Sequence, residues 1–335
     1  MKRMATHIRR QRGVALIMAI LIVALATILA ISVATDGYMD QRRASTALAV
    51  DQAYEAAIGA EAYAALALEA DQQNQSSAQV DSLDEPWAQP ISFPFEDFGE
   101  LHGQLEDLQG RFNLNNLVNL NGSINPEMLA QFTSLLERRQ IDTRWAGIIA
   151  DWIDADNNPS FPDGAEDTVY TLRTPPYLTA NRPIMNTSEL LSLVDAGNKP
   201  FGLDNYQKLE PYVAALPIDT PLNVCTAPGE VLDSLAPGIF PGEYSTDAGR
   251  ANLADLRKAG CFPKVIDIRT AFQNKDKNFD AMMTKHGAYL VTVSKHFRAN
   301  IFVTLGTTEI AMYSVLERTG NGQKVHVISR SIGSP

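Results

Sequence analysis

The hydrophobic pattern of the chain begins with one long helix. No charged residue occurs between Val14 and Thr35, and 22 helical residues at about 1.5 Å each extend about 33 Å, the thickness of a bilayer core. Beyond this run the helical pattern continues to about Glu69, with apolar residues at spacings of three and four. The sequence therefore predicts a helix over 14–70 whose first part, 14–35, spans a membrane.

The outer half of this predicted helix carries a narrow apolar stripe of small residues. Ala53, Ala57, Ala60 and Ala64 follow one another at spacings of three and four, which places them on one face of a helix. Small side chains allow close approach between helices. We therefore predict that these four alanines form the face to which partner helices bind.

The rest of the pattern predicts a small antiparallel sheet interrupted by helices. Polar and apolar residues alternate at 101–105 and in several runs after residue 288, of which the last two form a hairpin. Between about 115 and 285 the spacing is that of short helices, so the element order predicts an α+β fold with a large all-helical insertion. The predicted domains are a β domain over 71–114 and 286–335 and an insert over 115–285, in which similar runs at 112–117 and 222–228 indicate two modules.

The charge distribution places most of the chain outside the cytoplasm. Five basic residues and no acidic residue precede Gly13, and the positive-inside rule keeps such an N-terminus in the cytoplasm. A cleaved secretory signal peptide and a plain signal anchor are the alternatives; the first is disfavoured because its apolar region is typically about 7–15 residues long. The net charge of −11 makes nucleic acid a poor partner, because its binding depends on Lys and Arg.

The most unusual stretch is an acidic run at 151–167, which holds six carboxylates and no basic residue between Arg144 and Arg173. Such a cluster repels itself, and calcium, which takes six to eight oxygen ligands, would neutralise it. The run is not an EF-hand, because Pro159 stands where that loop needs Gly and Ala165 where it needs Glu. The alternative interpretation is a solvated acidic loop without a metal.

Two groups of motifs resemble a known family. The basic leader that ends at Gly13, followed by Val14 and a long half-membrane helix, is similar to the class III leader of type IV pilins and type II secretion pseudopilins. The acidic run and the motifs that follow it resemble the minor pseudopilin K family of the type II (general) secretion pathway, and the resemblance covers essentially the whole chain. These later motifs are Tyr170, Pro175-Pro176-Tyr177, Ala180-Asn181, Pro183 and Glu189-Leu190.

The resemblance implies a type IV pilin-like fold, in which the long helix packs on the small sheet and the insert has two similar modules. It also implies that a prepilin peptidase removes the leader 1–13 by cleavage between Gly13 and Val14, that Val14 is methylated, and that the protein lies in the bacterial inner membrane with its bulk in the periplasm. The implied partners are the minor pseudopilins I and J.

The resemblance further implies a calcium site at the acidic run. Carried over residue by residue, the role of ligand falls to Asp154, Asp156, Asp163, Glu166 and Asp167. Asn186 is a weaker candidate, because Asn186 and Glu189 are spaced equally well for a helix N-cap pair.

The fifth residue of the implied mature chain is Met18, where most pilins carry a Glu. The lack of this Glu is characteristic of the K family. A subunit without it can enter a pseudopilus first, and a bulky insert would clash with a subunit stacked above it. We therefore expect a position at the pseudopilus tip, where the protein initiates assembly for the export of folded proteins across the outer membrane.

The two cysteines, Cys225 and Cys261, lie on the exported side, where oxidation is favoured. We expect them to form a disulfide, and two reduced thiols are the alternative.

No catalytic motif is recognisable in the sequence. The chain lacks the signatures of metalloproteases, P-loops and serine hydrolases, and its histidines are scattered (His7, His102, His286, His296 and His326). We expect a protein that is not an enzyme. One alternative is a membrane-anchored periplasmic hydrolase that uses two carboxylates of the acidic run, as glycosidases do. The other is a simple signal-anchored calcium-binding protein.

Overall fold

The computed structural model describes residues 14–74, 80–95, 99–235, 261, 289–319 and 324–334. Its first element is helix α1, Val14–Gln73, which ends close to the predicted boundary. The first part of α1 is apolar and exposed on all sides, and this helix is long and apolar enough to cross a membrane. The long helix is therefore as predicted, and its first part has the length and composition that the predicted membrane span requires.

The elements after α1 are short, except for the strands of one sheet. The strands of the described chain are β1 (Ile91–Phe95), β2 (Gly99–Asp107), β3 (Phe112–Asn113), β4 (Val213–Ala214), β5 (Leu222–Asn223), β6 (Leu290–Val291), β7 (His296–Leu305), β8 (Thr308–Thr319) and β9 (Lys324–Ile332). The α-helices are α2 (Pro126–Arg138), α3 (Trp145–Ile153), α4 (Asp167–Tyr170), α5 (Gly202–Leu209) and α6 (Gly229–Ser234). The 3-10 turns are Pro86–Ala88, Leu108–Gly110, Leu114–Leu117, Thr187–Ser192 and Glu210–Tyr212.

A five-stranded antiparallel sheet packs on the outer half of α1. Its strand order is β1-β2-β7-β8-β9, and β8 and β9 form the predicted hairpin. Buried residues of β2 alternate with more exposed ones, and Leu101 and Leu105 of β2 and Phe297 of β7 lie in one core with the buried face of the helix. Trp87 packs edge-on against Phe297, with ring centroids 5.2 Å apart. This is the expected pilin-like arrangement of one long helix on one small sheet.

Two arginines of the sheet bind α1 through buried carboxylates. Arg330 of β9 donates to Glu61 of α1 at 2.6 and 2.7 Å, and Ser314 of β8 donates to the same carboxylate. Arg318 of β8 is 3 % exposed and pairs with Asp71 near the end of α1. The helix is thus attached to the sheet by ion pairs as well as by apolar packing.

The insert lies between β2 and β7 and has its own hydrophobic core. Helices α2 and α3 form its centre, with Phe112 and Phe132 stacked at 5.1 Å between ring centroids. The insert was predicted to be all-helical, but it also contains two pairs of parallel two-residue strands, β3 with β4 and β5 with β6. The described part of the second module ends at Leu235 and resumes at Cys261.

The boundaries of the insert also differ from the predicted 115 and 285. The last residue of β2 is Asp107, and Phe112 and Leu114 are buried in the core of the insert. At the other end Leu290 joins the same core, and the sheet resumes at His296. The predicted start of the insert was therefore too late in the chain, and its predicted end was too early. Short buried segments of the two domains have the same apolar composition, so the sequence alone does not separate them.

Candidate functional site

The acidic run forms a buried group of three carboxylates. Asp151 lies in the last turn of α3, Asp154 follows the end of that helix, and Glu166 immediately precedes α4. A spacing of three residues places Asp151 and Asp154 on the same side of the helix end. One oxygen of each of the three side chains lies within 4.8 Å of the others, and all three residues are buried.

The loop between the two helices is closed by Asp151. Its Oδ2 accepts hydrogen bonds from the backbone N–H of Ser160 at 3.0 Å and of Ala165 at 2.9 Å. Gly164 allows this closure, because a Cβ there would overlap the Asp151 carboxylate and the Ser160 backbone. The closed loop brings Glu166 back to the end of α3.

The site lacks groups that would compensate its negative charge. Asp154 Oδ1 and both carboxylate oxygens of Glu166 are buried without a hydrogen-bond partner in the described structure. Burial, followed by the proximity of Asp151, raises the pKa of Asp154 to about 7 and that of Glu166 to about 8. Buried carboxylates normally have a hydrogen-bond donor or a cation beside them.

This donor set fits a hard divalent cation. Calcium binds carboxylate oxygens, and a cation among these three side chains would contact the oxygens that have no other partner. The same burial is unfavourable for a pair of glycosidase carboxylates, because Asp154 and Glu166 are only 3 % and 1 % exposed and such carboxylates must contact a sugar.

The structure places two of the predicted ligands, Asp156 and Asp163, outside this group. Asp156 is exposed, and its Oδ1 accepts hydrogen bonds from the backbone and side chain of Asn158 at 2.8 Å. Asp163 is exposed in the turn that precedes Gly164. Residues that are close in an acidic run need not point to one centre, because a loop directs successive side chains to different sides.

The other two predicted ligands have structural roles. Asp167 accepts hydrogen bonds from the backbone N–H and the hydroxyl of Thr179 at 2.9 and 2.8 Å, and these bonds lower its pKa. Asn186 and Glu189 form a capping box at the N-terminus of the turn Thr187–Ser192, which is the alternative that the sequence left open.

Asp151 was missed by the sequence analysis. It is part of the acidic run, but it lies inside a helix and precedes the loop to which the ligand role was assigned. The spacing of Asp151 and Asp154, three residues apart at a helix end, is the signal that indicates a shared face.

Three of the four predicted partner-binding alanines pack inside the protein instead. Ala53 and Ala57 are fully buried and Ala64 is 8 % exposed, all against the chain's own sheet. Ala60 lines a groove between α1 and the sheet, beside Tyr63. For Ala53, Ala57 and Ala64 the prediction of a partner face was wrong, because periodicity shows that a helix buries one side but not which surface covers it.

The remaining predicted residues are placed as follows. Gly13 lies outside the described residues, and Val14 is the first residue of α1. Met18 is 60 % exposed on the apolar part of that helix. Cys225 and Cys261 are joined by a disulfide, with their Cα atoms 5.2 Å apart.

Comparisons with known proteins agree on one family. Residues 110–218 match the family model for type II secretion system (T2SS), protein K. The chain is 36% identical to type II secretion system protein K of Pseudomonas aeruginosa over 97% of this chain and 94% of that protein. It is 32% identical to the Klebsiella pneumoniae protein of the same name, over 97% of each chain.

The fold also matches a solved structure. A chain in the crystal structure of the GspK-GspI-GspJ complex from enterotoxigenic Escherichia coli superposes with a TM-score of 0.73 at 25% identity. The match covers 88% of this chain and 100% of that chain.

Proposed function

Because this chain belongs to the type II secretion system protein K family, we propose that it works as the minor pseudopilin at the tip of the pseudopilus. In that position it initiates pseudopilus assembly for the export of folded proteins across the outer membrane. The pilin-like helix and sheet provide the subunit body, and the insert between β2 and β7 provides the part that differs from an ordinary pilin.

The observation that carries this proposal is the combination of Met18 and the insert. Met18 brings no carboxylate into the membrane, so the subunit needs no charge on a neighbour ahead of it. The insert has a separate core attached to one end of the sheet, where its bulk would obstruct another subunit stacked on that end. Both features are compatible with the first position in a filament.

The proposed partners are minor pseudopilins of types I and J. A related chain forms a complex with GspI and GspJ in the solved structure to which this fold is similar. The alanine stripe is covered by the sheet, so the partners would use other faces of α1. The exposed part of α1 between residue 36 and the sheet is the surface available to them.

The proposed location is the inner membrane, with the N-terminus in the cytoplasm and the sheet and insert in the periplasm. The apolar first part of α1 and the basic residues before it support this orientation. Cleavage by a prepilin peptidase after Gly13 would leave Val14, the first helical residue, as a methylated N-terminus. The intact mass of the membrane-extracted protein tests this step, and a protein that retains Met1 would contradict it.

Calcium is the proposed ligand of the buried group Asp151, Asp154 and Glu166. The ion would supply the positive charge that the described side chains of this site do not supply. A role as an enzyme is not proposed, because the named relatives are secretion-system components and the three carboxylates are buried.

Tip placement is tested on pseudopili that contain an epitope-tagged copy of the full chain. Gold-labelled antibody should mark one end of each fibre in electron micrographs. A Met18→Leu variant is the matched control and should label in the same way, since it also lacks the carboxylate. Label distributed along the fibres would contradict the proposal.

A further inference from the structure

The insert is held to the sheet by a buried hydrogen-bond centre at the end of β2. The Asp107 carboxylate accepts hydrogen bonds from the hydroxyls of Ser294 and Thr226 at 2.6 and 2.5 Å and from the side chain of Asn223 at 2.9 Å. It also accepts from the backbone N–H of Gln109 at 2.8 Å. One side chain of the sheet thus binds three separate segments of the chain.

Gln109 binds the same segments through both the oxygen and the nitrogen of its side-chain amide. Its Oε1 accepts from the backbone N–H of Lys295 at 2.6 Å and of His296 at 3.2 Å, where the chain returns to the sheet. Its Nε2 donates to the carbonyl oxygen of Pro221 at 3.0 Å. The two chain crossings between sheet and insert are therefore bound to each other and to the segment 221–226.

The fit at this point leaves no space for a larger residue. A Cβ on Gly110 would lie 2.7 Å from Thr226 Oγ1 and 2.9 Å from the Thr226 carbonyl carbon. Such contacts are closer than packed atoms tolerate, so the insert segment lies directly on the backbone that leaves β2.

Four charged side chains form a second attachment nearer the surface. Glu106 of β2 accepts from Arg298 of β7 at 2.8 Å and from Arg111 at 3.0 Å. Arg111 also donates to the Glu210 carboxylate of the insert at 3.2 Å, and Arg298 lies 3.5 Å from the same carboxylate. The group contains two positive and two negative charges and bridges the sheet and the insert.

We propose that these two attachments, together named the insert junction, fix the insert in a single orientation relative to the sheet and α1. A domain attached only by its two covalent crossings is expected to rotate about them, since interfaces between domains permit motion by default. Here the buried hydrogen bonds of Asp107 and Gln109 and the partly exposed ion pairs oppose such rotation together. The insert junction makes the insert and the pilin-like body one rigid unit.

The test is a distance measurement on the full chain in detergent micelles with the disulfide intact. Spin labels are attached to non-natural amino acids at two exposed positions, Leu203 in the insert and Lys324 in β9. Pulsed dipolar spectroscopy should give a single narrow distance peak for the otherwise unchanged protein. A broad distribution in that protein would overturn the proposal.

Substitutions distinguish the loss of a fixed insert orientation from a general loss of stability. Replacing Asp107 and Gln109 together by Ala should convert the narrow peak into a broad distribution, while near-ultraviolet circular dichroism confirms that the two cores remain packed. Arg111→Met, which removes only the partly exposed attachment, should broaden the peak less and serves if the double variant does not fold. Glu100→Gln is the control on the same strand and should leave the peak unchanged. An unchanged narrow peak in a folded Asp107/Gln109 variant would also overturn the proposal, and neither result depends on where the protein lies in a pseudopilus.

Discussion

Two groups of three carboxylates occur in the described structure, and only one of them is paired with an arginine of the protein. One group consists of Asp71, Asp81 and Glu85, between the end of α1 and the loop that follows it; the other is the site formed by Asp151, Asp154 and Glu166. In each group one oxygen of every side chain lies within 4.8 Å of the others. The carboxylates are equally close together in the two groups. The distance between them therefore does not explain why the negative charge of the two groups is compensated differently.

The first group is compensated by protein donors. Arg318 pairs with Asp81 at 2.7 Å and with Asp71 at 2.9 Å, and its guanidinium lies 4.6 Å from the centre of the Phe297 ring. Glu85 accepts from the backbone N–H of Ser82 and the indole N–H of Trp87 at 2.8 and 3.0 Å. This group connects α1 to the sheet through the protein's own donors.

The second group has no arginine among its partners in the described residues. Two backbone N–H groups bind Asp151, but the inner oxygens of Asp154 and Glu166 have no donor. The comparison teaches that proximity of carboxylates does not by itself indicate a metal site. The informative observation is the oxygen that remains buried and unpaired when the protein's own donors have been counted.

The largest expected effect comes from removing the internal cation. Arg318→Met should destabilise the protein by about 3–5 kcal/mol, because it leaves buried carboxylates without their partner. The loss should be the same with and without calcium. Urea unfolding measures it, and Arg43→Met, which breaks an exposed pair with Asp40, is the control that should change stability by less than about 1 kcal/mol. A loss that calcium restores would contradict the assignment of Arg318 as the cation of this group.

Removing calcium should have the next largest effect. An ion that binds only the folded state at about a hundred times its Kd stabilises by about 2.7 kcal/mol, so EDTA should lower the Tm of the wild-type protein. Asp154→Asn should abolish this response, whereas Asp163→Asn should retain it because that side chain is exposed and outside the group. If EDTA leaves the wild-type Tm unchanged, the acidic run is a structural loop without a metal.

In the absence of calcium, neutral substitutions should have opposite signs in the two groups. Glu166→Gln should raise the stability of the EDTA-treated protein by about 1 kcal/mol, the typical cost of a buried unsatisfied group. Asp81→Asn should lower it, because it weakens the pair with Arg318. Parallel urea titrations in EDTA measure both changes. Destabilisation by Glu166→Gln under these conditions would show that the site has an internal partner.

The smallest expected effect is a pH dependence. The pKa values of Asp154 and Glu166 are raised from 3.8 and 4.5 to about 7 and about 8, so between about pH 4 and 8 the folded state without metal binds more protons than the unfolded state. Their contribution to stability is fully present below pH 4 and is lost as the pH rises to 8. The Tm difference between Glu166→Gln and wild type in EDTA should therefore increase from pH 5 to pH 8. A difference that is constant over this range would contradict the raised pKa of Glu166.

Most of the architecture was predictable because it depends on periodicity. The length of α1 follows from its apolar run and the hairpin of β8 and β9 from alternation, and both are local patterns. The face to which Ala53 and Ala57 pack was not predictable, since β7 and β8, which cover most of it, lie more than 200 residues later. The boundary near Asp107 was missed for the same reason: only the tertiary structure shows which core receives Phe112.

The sequence located the candidate site in the acidic run, but it did not identify which carboxylates of the run come together. An acidic run without basic residues suggests two interpretations, a cation site or a solvated loop, and Asp154 and Glu166 are the residues that both the sequence and the structure place in the candidate site. Whether Asp151 belongs to the site depends on where α3 ends. Asp167 is excluded from it by its hydrogen bonds with Thr179, whose position is set by the fold of the loop. Hydrogen bonds of this kind determine which carboxylates remain unpaired.

The ion pair between Glu61 and Arg330, which are 269 residues apart in the chain, has a consequence for biogenesis. In the proposed orientation the N-terminal helix enters the membrane first, and β7, β8 and β9 would reach the periplasm only after the whole insert has crossed. The outer half of α1 therefore stays without its packing surface for most of translocation, a period in which exposed apolar segments are prone to aggregation and proteolysis. Pulse labelling with protease added outside the inner membrane should show a sensitive α1 in chains stalled before β7 and a protected one in released chains. The last strand to be exported is thus the one that completes the attachment of the first helix to be inserted.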